Sequence, residues 1–354
     1  MIRFQLGGIL TEEIRALDRE LAKLLLKRLE LSRGVDREAL RVVNVEIRDL
    51  LKRLLTGVGI SEHYASLFAS LYTTVLSQSS SIRVAYLGPR GSFSEEASLK
   101  VFKHTKVELL PQNSIIAVFR VVEEGDANYG VVPIENSLEG SVGETIDMLA
   151  ETALIICGDT ELRIRLNLIA KPGTKLDDIK LVMSNPYALA QVRRFIESRL
   201  KGVKVEVTAS TSEAVKIAVS SNGVAAIGSE YAAMLYGGEV LLHGIEDHKE
   251  NYTRFIVVGK KPVEVAEVAT VKTAVIFTLK HEPGSLYRAL QPFAERKINL
   301  TKIESRPIKG RPWEYMFFME FEGTMNSESV SQALKELSKR TEFLKILGSY
   351  PRIP

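Results

Sequence analysis

At 354 residues the chain exceeds what one hydrophobic core serves, because chains beyond roughly 250 to 300 residues split into domains; two or three units are expected. Hydrophobic residues at 45% and charged residues at 26% exclude a disordered, collagen-like or disulfide-stapled chain. A formal charge of +3, from 47 Lys plus Arg against 44 Asp plus Glu, is too small and too evenly spread for a nucleic-acid or membrane footprint, so any anion is bound locally.

The single cysteine, Cys157, makes neither an internal disulfide nor a cysteine metal cage, and the 5 His show no paired ligand spacing. Met1 to Gln5 lacks the long apolar core of a signal peptide, and no run of about 18 apolar residues occurs, so a reducing, cytoplasmic setting is expected.

From the N-terminus, Leu10, Ile14, Leu17, Leu21 and Leu24 recur at three- and four-residue steps, the seam of an amphipathic helix. Leu40, Val43, Ile47, Leu50 and Leu54 repeat it after Arg33-Gly34, and Tyr64, Phe68, Leu71 and Val75 do so again after Gly57 to Gly59 and the cap-like Ser61. These helices predict an all-α domain over residues 1–80, too one-sided to close a core without docking or dimerisation.

The run Ser77 to Ser81 reads as a linker, and the period then changes to alternating strand and helix over 82–260. Strands are expected over 83–87, 107–110, 129–134, 154–157, 162–170, 180–183, 203–208, 224–227 and 254–258, with a pause at Gly158-Asp159. That pattern predicts a largely parallel α/β domain of two lobes with a cleft between them. After a second linker, Lys260 to Thr270, residues 271–354 read strand, helix, strand, strand, helix, strand, with Lys309 to Pro312 as the hairpin turn: an α+β, ferredoxin-like sandwich of the split βαβ kind.

Polar clusters follow several of these strands. The loop Gly88 to Ser94 leads into a helix, where Ser92, Ser94 and the free amides of the first turn suit a carboxylate or phosphate, although the Walker lysine of a nucleotide loop is absent. Glu135, Asn136 and Ser137 crowd the carboxyl end of a buried-type strand, where ligands bind in open α/β sheets. Ser184 through Gln191 opens a helix in the same topological place, and Asn251, Thr253, Arg254 and Phe255 lead into the last strand of the block. A plain reading of each cluster alone is turn or cap chemistry.

Taken in order, these pieces resemble the prephenate dehydratase family: the Gly88 to Ser94 loop, Pro133 to Ser137 with Gly140 and Thr145, Ser184 through Gln191, Ala209-Ser210-Thr211, Ala226-Ile227-Gly228, and Asn251 with Thr253-Arg254-Phe255. The resemblance implies a fold like the type II periplasmic binding proteins, an active site in the interlobe cleft, and functional positions at Asn136, Ser184, Gln191, Thr253 and Arg254. Ser92, Ser94, Ser137, Asn251 and Phe255 would contact substrate, and Asn185 stands where a His is common. Prephenate is a dianion that loses its ring carboxylate and hydroxyl together as the ring becomes aromatic, so the site needs anion anchors and a donor beside the departing oxygen. Arg254 is expected as a bidentate carboxylate clamp. Thr253, a very weak acid, is expected as a hydrogen-bond donor to the developing negative charge, relaying a proton from water or from Glu135. Aromatisation drives the step, so no metal or organic cofactor is expected.

The C-terminal block resembles the ACT regulatory domain of these dehydratases: Gly284-Ser285-Leu286 stands where the family has Gly-Ala-Leu, and Glu304-Ser305-Arg306-Pro307 matches its Glu-Ser-Arg-Pro motif. The resemblance implies phenylalanine bound by these two segments at a dimer interface, in a homodimer or homotetramer. The helical block resembles the chorismate mutase domain often fused ahead of the dehydratase, with Arg28 and Gln78 at family positions. Thr11, Ala39 and the Glu46-Ile47 pair depart from the arginine, lysine and Arg-Glu expected there. The expectation is a prephenate dehydratase that converts prephenate to phenylpyruvate, water and carbon dioxide and senses phenylalanine. The rivals are a bifunctional enzyme with an altered mutase site and a non-catalytic ligand sensor.

Overall fold

A computed structural model describes residues 37–57, 59–77, 82–103, 105–261, 271–308, 310 and 313–353, together with 20, 23, 24, 27 and 28. The expected first helix falls almost wholly outside this set, as do Gln78, residues 262–270 and most of the hairpin turn at 309–312. The chain divides into two compact units at about Arg83, with residues 105–107 belonging to the first.

In the first unit, helices α1 (Arg37–Gly57) and α2 (Glu62–Ser77) pack on each other through small residues, Ala65 and Ala69 being fully buried. A Lys52 to Glu62 ion pair of 2.7 Å ties their ends. Of the described side chains in the rows expected as a seam, Leu50, Leu54, Tyr64 and Phe68 are exposed. A helix pair has too little facing surface to cover two full stripes, so the larger side chains are left over.

The second unit contains three sheets. The first has the order β2-β1-β3-β11-β5, built from β1 (Ile82–Leu87), β2 (Val107–Gln112), β3 (Tyr129–Asn136), β5 (Ile155–Arg163) and β11 (Tyr252–Gly259), with the two-residue β4 (Gly140–Ser141) beside β3. The second has the order β10-β6-β9-β7-β8, from β6 (Asn167–Ala170), β7 (Leu181–Ser184), β8 (Lys204–Val207), β9 (Val224–Gly228) and β10 (Glu239–Leu242). Helices α3 (Phe93–Val101), α4 (Ile115–Glu124), α5 (Gly143–Glu151), α6 (Pro186–Gln191), α7 (Arg193–Arg199), α8 (Thr211–Ala218) and α9 (Glu230–Tyr236) connect these strands. Ser92, Ser114, Ser210 and Ser229 cap α3, α4, α8 and α9 by accepting a bond from the first helical turn.

Two lobes therefore stand as expected, but the sheets are mixed rather than largely parallel. Strand β11 enters the first sheet antiparallel to both β3 and β5, and β6 and β10 run antiparallel in the second. The expected pause at Gly158-Asp159 is also absent, because β5 pairs with β11 through both residues, the register shift falling one residue earlier at Cys157. The insertion of β11 matters for function. Since it runs against β3, its first residues lie where β3 ends, and Thr253 pairs directly with Asn136.

The third sheet has the order β13-β14-β12-β15, from β12 (Val271–Thr278), β13 (Leu300–Pro307), β14 (Tyr315–Glu322) and β15 (Phe343–Pro351), all antiparallel, with α10 (Ser285–Glu295) and α11 (Glu328–Ser338). It is covered on both faces. Val275, Phe277, Met319 and Phe321 meet Ala289, Phe293, Ala333 and Leu337 of the helices, whereas Ala274, Ile276, Phe318, Leu347 and Tyr350 share a core with Ile134, Ile146, Leu149 and Ile256 of the first sheet and its helices. Burial on both faces explains why β12 and β14 read as nearly continuous apolar runs. At the contact, Gly348 holds φ at +125°, and a Cβ there would lie 2.9 Å from the Ile156 carbonyl oxygen, so the two backbones meet closely. One core spanning the two sheets predicts that Phe318→Ala lowers the stability of the whole unit by about 3 to 5 kcal/mol, read by urea denaturation as an earlier single transition. A separate early transition of the C-terminal sheet alone would contradict the shared core.

Candidate active site

Residues alternate faces along a strand, and the pairing of β3 with β11 sets two consecutive cross-strand pairs, Thr253 with Asn136 and Arg254 with Glu135. The first pair points into the space between the lobes. Asn136 Nδ2 donates to Thr253 Oγ1 at 2.9 Å and to Asn251 Oδ1 at 2.8 Å, and Asn251 Nδ2 in turn donates to Gln191 Oε1 at 2.9 Å. Asn251 is fully buried, so this amide chain joins Gln191, at the end of α6 in the second lobe, to the threonine on β11. Asn136 Oδ1 accepts from the Leu138 and Glu139 amides at 2.9 and 3.0 Å, which fixes the orientation of its amide. Because Thr253 Oγ1 accepts from Asn136, its own proton is left to donate to a ligand.

Four of the expected residues, Asn136, Gln191, Asn251 and Thr253, thus come together. Ser184 does not join them: it is fully buried and its hydroxyl donates to the Ile227 carbonyl at 2.7 Å, closing the top of the second sheet. Ser137 locks the strand ends, accepting from the Tyr252 amide at 2.9 Å and donating to the Glu250 carbonyl at 3.2 Å. Phe255, expected against substrate, is buried at 2% exposure.

The loop Gly88 to Ser94 leaves the end of β1, which is parallel to β3, and so lies on the same edge of the sheet as Asn136. Ser92 caps α3, donating to the Leu87 carbonyl at 3.0 Å, and Ser94 is buried in the first turn. The Arg90 carbonyl accepts from Ser212 Oγ and, at 2.8 Å, from the Tyr236 hydroxyl, so the loop is bonded to the second lobe. Buried Glu95 accepts from the Gly91 amide at 2.5 Å and holds the turn. The loop before α3 and the start of α8 are thus joined by the Ser212 to Arg90 bond, and the first turn of each helix has amides beyond the one its cap takes.

The second cross-strand pair points the other way, away from the group formed by Asn136, Thr253, Asn251 and Gln191. Arg254, expected as the substrate's carboxylate clamp, is committed to Glu320 of β14 by bonds of 2.7 and 2.5 Å, with its side chain only 14% exposed. Glu135, expected as a proton relay to Thr253, accepts instead from Lys302 of β13 at 2.7 Å. Both placements follow from the period of two: neighbours of Thr253 and Asn136 along their strands must face the opposite side. Burial by itself would lower the pKa of Arg254, but the carboxylate of Glu320 outweighs it and holds the guanidinium above its ordinary value. Asp159, 3.9 Å from Arg254 Nε, is pushed up by burial, partly offset by Arg254 and Lys272.

The expected phenylalanine segments divide in the same manner. On β13, Glu304 and Arg306 face the dehydratase-like sheet, Glu304 accepting from Ser141 Oγ and Arg306 pairing with Asp147 at 3.3 Å, while Ser305 and Pro307 are exposed. Gly284, with φ of +81°, precedes α10, and Ser285 accepts from Arg288 at 3.2 Å; Leu286 packs against the helix-side core. In the helical unit Arg28 is half-buried in a helical segment, and the Arg48 and Asp49 side chains are exposed. Among the described residues no group of three or more His, Cys, Asp or Glu could hold a metal ion, and no helix is long and apolar enough to cross a membrane.

Sequence reasoning missed Glu320, Lys302, Asp159 and Tyr350. A signal was present, since Glu320 interrupts the apolar run Met316 to Phe321 and Asp159 follows Ile155 to Gly158, and a charge inside a buried strand must find a partner.

Residues 84–263 match the prephenate dehydratase family model, and residues 273–339 match that of the ACT domain. The chain belongs to the prephenate dehydratase family. A bifunctional chorismate mutase/prephenate dehydratase of Aquifex aeolicus is 37% identical, with 97% of each chain covered. The prephenate dehydratase of Arthrobacter aurescens in complex with L-Phe superposes with a TM-score of 0.70 at 30% identity, covering 77% of this chain and 90% of that one. A protein described as a novel type of quorum quenching acylase, GqqA, superposes with a TM-score of 0.69 at 30% identity over 77% and 98% of the two chains.

Within this dehydratase fold, Asn251 is the amide on which the cleft residues converge. Asn251→Ala leaves Asn136 and Gln191 each short of a partner and is expected to cost about 1 to 3 kcal/mol, measured as a lower urea midpoint. An unchanged midpoint would show that the amide chain does not hold the site together.

Proposed function

We propose that the interlobe cleft dehydrates and decarboxylates prephenate to phenylpyruvate, with Thr253 as the donor to the departing hydroxyl. The observation that carries this reading is the bond from Asn136 Nδ2 to Thr253 Oγ1, which orients the hydroxyl and leaves its proton directed at a ligand. The ring carboxylate leaves as carbon dioxide, and its bonding pair moves into the ring. The bond from the opposite ring carbon to its hydroxyl breaks, and the departing oxygen takes a proton from solvent by way of the threonine hydrogen bond to leave as water. A donor aimed at charge that develops only in the transition state accelerates the step without tightening substrate binding.

With Arg254 held by Glu320, the carboxylates of the substrate need other anchors. The free amides at the starts of α3 and α8, on either side of the cleft, supply them, and Gln191 with Asn136 contributes neutral donors. Ser184 supports the second lobe beneath the site. The chain is read as three parts: a chorismate-mutase-like helical block to about residue 80, a dehydratase of two lobes over 82–260, resembling type II periplasmic binding proteins, and an ACT domain over 271–354. The ACT domain takes phenylalanine as its regulatory ligand near Gly284 to Leu286 and the exposed side of β13. The open row Leu50, Leu54, Tyr64 and Phe68 suits pairing with a second copy of the chain.

A bifunctional enzyme is the second reading, favoured by the Aquifex aeolicus relative, whose similarity extends over the helical block. Purified full-length chain supplied with prephenate is expected to form phenylpyruvate, and Thr253→Ala to lower kcat by about 100- to 1,000-fold with KM little changed. Binding of prephenate without turnover would favour the sensor instead. Chorismate supplied alone separates the two enzyme readings: phenylpyruvate forms from it only where the helical block is an active mutase.

A further inference from the structure

The strands that present Thr253 and Asn136 to the cleft are gripped from behind by the ACT sheet. Behind Thr253, Arg254 makes its two bonds to Glu320, and behind Asn136, Glu135 receives Lys302 at 2.7 Å. Lys302 also donates to Ser141 at 2.7 Å, on the short strand that pairs with Glu135 and Asn136. Arg254 Nε stands 4.0 Å from Glu135 Oε2, so the four side chains form a row of alternating charge, Glu320, Arg254, Glu135, Lys302, in which the two ends belong to the regulatory domain. The following helix is held too, with Arg306 against Asp147 at its middle and Lys345 Nζ bonded to the Leu149 and Ala150 carbonyls at its end.

Glu320 is the centre of this grip. It has no exposed surface, and it accepts from both terminal nitrogens of Arg254 and from the Tyr350 hydroxyl at 2.7 Å. A buried carboxylate cannot lose its cation without a large desolvation penalty, so substrate binding in the cleft leaves Arg254 where it is. The bidentate fork also fixes orientation as well as charge, because the guanidinium is planar and must lie in the carboxylate plane. The position of the Arg254 backbone is thereby set by a residue of another domain, and Thr253 is the adjacent residue on the same strand.

We propose that Glu320 of the ACT sheet is a positioning residue for dehydration: acting through Arg254, it holds β11 so that the Thr253 hydroxyl meets Asn136 in the orientation that donates to the leaving group. This rests on the reading that Thr253 serves prephenate dehydration. On this account the regulatory domain is part of the catalytic scaffold, and a shift of its sheet reaches the threonine through one ion pair.

The test uses the full chain with prephenate as substrate, at a temperature well below each variant's unfolding midpoint, so that the folded fraction does not enter kcat. Glu320→Gln is expected to lower kcat at least tenfold while KM for prephenate stays within about threefold, and Glu320→Asp, which keeps the charge, to recover part of the loss. Thr253→Ser loosens the same hydroxyl, so combining it with Glu320→Gln should cost less than the product of the two single losses. Should Glu320→Gln not fold, Arg254→Lys carries the same expectations for kcat and KM, and Glu320→Asp a smaller loss of kcat with KM likewise kept. A silent Glu320 variant, or losses that multiply independently with Thr253→Ser, would overturn the proposal. So would a more than tenfold rise in KM for an Arg254 variant alone, which would return that arginine to the substrate. Failure of the unaltered chain to turn over prephenate would instead overturn the dehydratase reading itself.

Discussion

The register between β3 and β11 is the constraint on which the site depends. It brings Asn136 opposite Thr253 and Glu135 opposite Arg254, and the pleat then sends the two pairs to opposite faces of one sheet. The neutral pair faces the cleft and bonds across to the second lobe through Asn251 and Gln191. The charged pair faces the ACT sheet and is neutralised there by Glu320 and Lys302. A shift of one residue would exchange the faces, placing a buried ion pair in the cleft and a threonine against the ACT sheet.

This division accounts for several otherwise separate features. β11 runs antiparallel within a sheet whose neighbouring strands β1 and β3 are parallel, because only that direction brings its first residues to the edge where β3 ends. The ACT sheet is buried on both faces because one face serves its own helices and the other completes the core behind the site. Gly348, with its left-handed φ, allows β15 to lie close against β5 at that contact. Charges that would be costly to bury singly are arranged so that each has an opposite within reach.

The architecture was largely legible in the sequence because it rests on periodicity. Most of the strand and helix order through both lobes, apart from β4 and β10, the split βαβ order of the last block, and the serine cap at 92 follow from patterns that short windows contain. Of the cleft residues, Asn136, Gln191, Asn251 and Thr253 were reachable through ordered motifs. The orientation of their neighbours was not, since a motif such as Thr253-Arg254-Phe255 groups residues by adjacency whereas a strand separates them by face. Adjacency likewise groups Glu304 and Arg306 with Ser305 and Pro307, which the strand turns to opposite faces. The partners of Arg254 and Glu135 lie 66 and 167 residues away, and no local pattern joins such pairs. The sheet direction was misjudged for a related reason: an alternating pattern does not disclose that a late strand is inserted into an early sheet.

One face of the β3 and β11 pair is turned to the cleft and the other to the ACT sheet, and a crystal structure with a non-dehydratable prephenate analogue bound tests the proposed use of these faces most directly. The account predicts the analogue against Thr253 Oγ1 and the Asn136 amide, with its carboxylates on the starts of α3 and α8 and with Arg254 still paired to Glu320. An Arg254 guanidinium that had left Glu320 to hold the analogue's carboxylate would contradict it.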